Sequence, residues 1–146
     1  MQQRMVVGFM FDVAFQQVVL IRKTKPDWKA GRLNGIGGKV ERGENSREAM
    51  AREFQEEAGL TGLTWQMYAR LEDLASTWHL SVFWAVGDVS AVRTMEAEPV
   101  LIVAVDDVVK YTTLGNVPWL VAMAKAVGSG AESCTLFNVI EAEARK

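Results

Sequence analysis

Gly38-Lys-Val-Glu-Arg-Gly-Glu-Asn-Ser-Arg-Glu-Ala-Met-Ala-Arg-Glu-Phe-Gln-Glu-Glu-Ala-Gly-Leu60 is the stretch from which the rest of the chain is read. Asn45 is a natural N-cap, and Glu48 three positions later completes a capping-box pattern. Good helix formers run from Arg47 to Ala58, and Gly59 stands where a left-handed C-terminal cap belongs. The stretch therefore predicts a helix. At about 100° per residue, Glu53, Glu56 and Glu57 share one face, beside an apolar stripe of Met50, Phe54 and Ala58. The carboxylates thus border the core-facing side. Like charges at this spacing cost a helix a few tenths of a kcal/mol per pair. Two partners offset such repulsion: a hard divalent cation, which takes oxygen ligands and bridges to phosphates, or the fork of Arg52. An acidic face that simply meets water would explain the helix taken alone.

Working outward, Met5 to Phe11 predicts an apolar strand, Asp12 to Gln16 a hairpin, and Gln17 to Thr24 a second strand. Lys25 to Gly38 reads as a loop, with Pro26, Gly31, Gly35, Gly37 and Gly38. Beyond the helix, Leu63 to Leu71, Trp78 to Val86 and Pro99 to Val105 predict strands. Val117 to Val127 predicts a second helix, with Pro118 in its first turn and Gly128 and Gly130 ending it, and Thr135 to Ile140 a last strand. Strands interrupted by two separated helices argue α/β or α+β, a sheet covered by helices on its faces.

The pattern resembles the Nudix box: Gly38, Glu44, Arg52-Glu53-Phe54, Glu56-Glu57 and Gly59-Leu60 stand at its spacing. Seven of these positions are fixed in type, a match expected by chance about once in 10⁸ windows. The box covers 23 residues, Gly38 to Leu60. The element order around it also resembles the family's α/β/α sandwich with a mixed sheet, and extends the resemblance to a single domain over residues 1–146. The resemblance implies metal-dependent hydrolysis of a nucleoside diphosphate derivative, with Mg²⁺, or Mn²⁺ in its place, and water attacking phosphorus. By that resemblance Glu53, Glu56 and Glu57 are metal ligands, joined by the backbone carbonyl of Gly38. Arg52 and Glu44 orient the acids, and Glu53 or a glutamate from a later loop is the general base. Glu98, narrowly ahead of Glu96, completes the site, and Lys39 meets phosphate.

Substrate choice must come from outside the box. Leu33-Asn34-Gly35-Ile36-Gly37-Gly38-Lys39-Val40 resembles the loop of the MutT-like branch, which hydrolyses nucleoside triphosphates. In the mammalian type an Asn at the place of Asn34 reaches the base, and Trp28 falls where that branch has a pocket aromatic. Trp119 lines up with a tryptophan of the same enzymes, but Gly115-Asn116 replaces their Asp-Asp pair. Asn116-Val117-Pro118 instead resembles the Asn-x-Pro with which bacterial types contact a guanine-like base; a helix N-cap explains Asn116 equally well. The expected reaction is cleavage of a dNTP or oxidised dNTP to the monophosphate and pyrophosphate. The alternatives are a Nudix hydrolase of a nucleotide sugar or capped RNA end, or a non-catalytic nucleotide-sensing module.

Bulk properties bound these expectations. The 146 residues are 49% apolar and 23% charged, an ordinary globular balance. A formal net charge of −2, with no basic stripe, argues against a nucleic-acid polymer as partner and leaves a small nucleotide. No apolar run reaches membrane-span length, and no signal-peptide pattern opens the chain. The single cysteine, Cys134, excludes an intrachain disulfide and suits a reducing cytoplasm; it reads as a small buried hydrophobe. His79, the only histidine, lies in a strand and reads as structural. A homodimer is a further expectation, from the family resemblance alone.

Overall fold

The computed structural model describes residues 2–130 and 136–141. Its elements are β1 (Gln3–Phe11), β2 (Gln17–Arg22), β3 (Leu33–Asn34), β4 (Ile36–Lys39), α1 (Ser46–Ala58), β5 (Gln66–Asp73), β6 (Trp78–Val86), β7 (Val100–Ala104), α2 (Val117–Gly128) and β8 (Phe137–Glu141). The strands form one mixed sheet in the order β3-β2-β1-β6-β5-β8, with β4 paired to β1 and β7 to β2. The β1–β6 and β5–β8 pairs are parallel and the others antiparallel.

Apolar residues cover both faces of the sheet. Along β1, Val7, Phe9 and Phe11 join one core with Leu120, Val121 and Ala124 of α2. Val6 and Met10 join a second core with Met50, Phe54 and Ala58 of α1. This is why β1 reads as a near-continuous apolar run: strands covered on both faces lose the polar alternation of half-exposed ones. The result is the expected α/β/α sandwich. Among the described residues, no helix is long and apolar enough to cross a membrane.

Two expectations about elements need correction. The segment Lys25 to Gly38 is not all loop: Asp27–Lys29 forms a 3-10 turn, Leu33–Asn34 pairs with β2, and Ile36–Lys39 pairs with β1. Gly37 is what lets β4 lie so close, because a Cβ there would collide with the carbonyl of Val6. The glycines that suggested a loop thus permit close strand pairing. The strand expected from Leu63 begins only at Gln66. Trp65 is buried in the α1-side core, with its ring 5.1 Å from that of Phe54, so the apolar signal there came from packing and not from strand pairing. The last expected strand is present at Phe137–Glu141; Cys134 and Thr135 lie outside the described residues.

Candidate functional site

Helix α1 begins as the sequence dictates. The Asn45 side chain accepts from the Glu48 backbone N–H at 2.8 Å, and the Glu48 carboxylate accepts from the Asn45 N–H at 3.0 Å. Gly59 ends the helix in the left-handed region, at φ 73°. These caps set where α1 starts and ends; burial of Ala49, Met50, Phe54 and Ala58 against the sheet sets its rotation, and with it the flank that carries Glu53 and Glu57.

Arg52 organises that flank. Its Nε and Nη2 donate to the two oxygens of Glu44, at 2.7 and 3.0 Å, and Nη2 also donates to the carbonyl of Lys39 at 3.0 Å. Its Nη1 donates to Glu53 at 2.9 Å and to Glu56 at 3.3 Å. One guanidinium therefore ties the loop before α1, the end of β4 and two helix acids together. The hydrogen bond from Arg52, with one from the Glu41 N–H, holds the Glu44 carboxyl below its ordinary pKa. The same bonds keep Arg52 protonated at any ordinary pH.

Glu53 and Glu57 lie deeper. Burial pushes the Glu53 carboxyl up, against the pull of Arg52, and Glu56 and Glu96 push the same way. Glu57 is raised to about 7, first by burial, then by the charge of Glu53; Lys23 opposes the shift, and Glu96 and Glu98 add to it. Its Oε2 is buried with no hydrogen-bond partner. A buried carboxylate oxygen without a donor is costly unless a cation meets it. Gly38 faces Glu53: a Cβ on it would meet the Glu53 carboxylate, so glycine lets that carboxylate lie against the β4 backbone.

The oxygens of Glu53, Glu56 and Glu57 are the donor type that a hard divalent ion takes. Among the described residues, no three acidic, histidine or cysteine side chains are gathered around one point as they stand. Glu53 and Glu56 are turned to Arg52, which donates to both. The donor set and the orphaned Glu57 oxygen fit an ion that would draw them together.

The remaining expected residues fall into three groups. Glu98 lies beside the acidic flank but is engaged on both oxygens, by Lys23 Nζ at 2.7 Å and by the Thr24 N–H at 2.6 Å. Burial raises its pKa, but Lys23 and Thr24 outweigh this and leave it lowered. Glu96 is exposed, in a loop tethered to the end of α1 through Arg93 N–H to Ala58 and Met95 N–H to Glu57. Lys39, next to Gly38, is exposed at the end of β4.

The base-pocket candidates are less gathered. Asn34 sits on β3, and its Oδ1 accepts from the Gly35 N–H at 2.8 Å. The segment leading to α2 docks on this strand, with Leu33 N–H to Thr112 and Leu114 N–H to Leu33. Asn116 follows that segment. It stands at the N-cap position of α2, with its carbonyl accepting from the Leu120 N–H at 3.0 Å, but its side chain makes no capping bond; its Nδ2 donates to Glu141 at 3.3 Å. Trp28 is 64% exposed, with Lys29 Nζ 5.0 Å from its ring centroid, so it does not anchor its loop by burial. His79 is buried, with its Nδ1 accepting from Arg70 Nη2 at 3.3 Å. Sequence reasoning missed Lys23: nothing local marks it, and only the pairing of β2 with β7 carries it to Glu98.

A model of the NUDIX domain matches residues 1–118. The chain belongs to the NUDIX family. The 8-oxo-dGTP diphosphatase of Escherichia coli (strain K12) is 32% identical over 71 residues, which are 48% of this chain and 55% of that protein. The NUDIX chain thus spans about half the length of the curated relative it matches. A MutT protein from Bacillus halodurans superposes with a TM-score of 0.70 at 22% identity, over 96% of this chain and 90% of that one. The NUDIX domain of Shewanella oneidensis NrtR, solved with ADP ribose, superposes with a TM-score of 0.72 at 15% identity, over 87% and 88% of the two chains. Both structures share the NUDIX fold described above.

Proposed function

We propose that this NUDIX chain hydrolyses a nucleoside triphosphate, a dNTP or an oxidised dNTP, to the monophosphate and pyrophosphate. The observation that carries the reading is the buried, partnerless Oε2 of Glu57, next to Glu53, whose own carboxylate lies against the Gly38 backbone of β4. Glu53, Glu56 and Glu57 would hold Mg²⁺ or Mn²⁺, with the Gly38 carbonyl and a glutamate of the 96–98 loop as further oxygens. Such an ion, when bound, neutralises phosphate charge and makes water more acidic.

The chain's own residues supply the rest. Arg52 and Glu44 are positioning residues: the two-pronged bond between them fixes the guanidinium, which fixes Glu53 and Glu56. Glu53 is the better base of the acids considered. Its raised pKa suits accepting a proton from water, whereas Lys23 and Thr24 hold both oxygens of Glu98. Lys39 lies one residue past Gly38 and would meet a phosphate there. Trp28, Asn34 and Asn116 would receive the nucleoside, and the activity of the Escherichia coli relative supports a triphosphate substrate.

A second reading, another nucleoside diphosphate derivative, is favoured by the partnered amides of Asn34 and Asn116, and by the ADP ribose bound to the NrtR domain. One assay separates the two. Triphosphates, nucleotide sugars and ADP ribose are offered with Mg²⁺ or Mn²⁺, and pyrophosphate is read against monophosphate products. Turnover of triphosphates with pyrophosphate release is expected. Turnover confined to diphosphate conjugates would replace the first reading with the second, and no turnover of any compound would overturn both.

A further inference from the structure

Helix α1 has a second flank. At about 100° per residue, Ala51 points away from Glu53 and Glu57, and Arg47 lies on its side of the helix, nearly three turns before Glu57. On that side the sheet continues past α1 to β6 and β5, leaving a groove of about 790 Å³ between the helix and the strands. Three arginines enter it from three elements: Arg4 from β1, Arg47 from α1 and Arg70 from β5. Arg4 lies in register with His79, and Arg70 with Ser81. Arg4 donates to Ser46 Oγ at 3.3 Å, at the start of α1.

Among the described residues none of these arginines has a carboxylate partner, whereas Arg52 on the other flank has four. The two acids nearby do not supply one. Glu48 is held in the capping box, and Glu72, in register with His79, forms no ion pair. His79 is 7% exposed, and its Nδ1 accepts from Arg70 Nη2 at 3.3 Å. Burial and the charges of Arg70 and Arg4 push the pKa of the ring down, against the pull of Glu72. Leu63 and Met67 give the other end of the groove an apolar wall. Guanidinium groups match phosphate oxygens in pairs, and a groove of this size accommodates a small molecule.

We propose that this groove is a second, metal-independent binding site for a small phosphorylated molecule, with phosphate held by Arg4, Arg47 and Arg70 and the remainder against Leu63 and Met67. The proposal does not depend on the acidic flank being catalytic. His79, as the only histidine, gives a single imidazole signal that reports on the groove. In the full chain with divalent ions chelated, inorganic pyrophosphate or adenosine monophosphate should shift that signal saturably. Arg4→Gln, Arg47→Gln and Arg70→Gln should each weaken binding about tenfold, the worth of one charge-assisted contact. All three positions are exposed, and thermal melts will verify their folding. Glu57→Gln, on the opposite flank, should leave binding intact. A His79 signal unmoved by either probe, binding unchanged in folded arginine variants, or binding lost in Glu57→Gln would overturn the proposal. So would binding of a single-stranded oligonucleotide at the same arginines without binding of either small probe.

Discussion

Glu57 joins two properties at one side chain: a buried oxygen without a donor and a pKa raised to about 7 from 4.5. In metal-free protein the folded state keeps a proton that the unfolded chain releases above about pH 4.5. The stabilising contribution of this group is full below that pH and is lost as pH rises through about 7. Glu53 shifts in the same direction, and Glu44 and Glu98 in the opposite one, so the informative quantity is the difference between wild type and Glu57→Gln. With divalent ions chelated, the melting temperature of wild type minus that of the variant should fall between pH 5 and 8. Added Mg²⁺ should raise wild type at pH 8 and leave the variant nearly unmoved. A flat difference across that range would remove Glu57 from the metal site. Arg52 makes a second residue-scale prediction. Lysine keeps its charge but loses the fork, so Arg52→Lys should retain the fold and lose about 10- to 100-fold in kcat, the usual cost of removing a supporting contact. Activity within threefold of wild type would show that the acids need no guanidinium to orient them.

Among the elements, α1 and β4 divide the work of building the acidic flank, and each gives a test. Asn45→Ala removes one half of the capping box and should cost about 1 kcal/mol in denaturant unfolding, with the slope of the transition unchanged. Gly37→Ala forces a methyl against the Val6 carbonyl and should cost about 1–3 kcal/mol. Gly115→Ala, where nothing lies within 4 Å of an added Cβ, is the control and should be near neutral. An equal cost at both glycines would mean that β4 does not depend on close approach. These two elements also mark how much was legible in the sequence. The helix, its caps and the spacing of Glu53, Glu56 and Glu57 follow from residues within a few positions of one another, so a linear reading finds them. The same holds for β6, whose apolar pattern is bounded by polar turns. β4 was hidden because its two glycines carry no strand propensity, and β3 because two residues are too short to show a period; they are strands only because β1 and β2 offer edges to pair with. Lys23 and Glu98 are 75 residues apart, and nothing local in either announces the other.

At the scale of the molecule, the sheet separates two cores, and within the α2-side core a polar contact ties α2 to β5. The Tyr68 hydroxyl is buried and donates to the Leu120 carbonyl at 2.7 Å; burial also pushes its pKa well up, so it stays a donor. Tyr68→Phe should cost about 1 kcal/mol in unfolding and leave kcat within twofold. A large loss of kcat without loss of stability would mean that the α2 side reaches the acidic flank. Strand β1 has its own consequence. One edge is shared by β2 and β4, close behind it in the chain, but the other is covered along nine residues by β6, from Gln3 opposite Trp78 to Phe11 opposite Val86. Helix α1 lies inside that connection. A chain leaving the ribosome therefore exposes an apolar strand edge until residue 86 has emerged, and the helix with its three acids waits on an incomplete platform. The acidic flank is translated in the first half of the chain but becomes a site only after the parallel pairing closes. Truncation before β6 should yield an aggregating fragment, however complete its acidic motif.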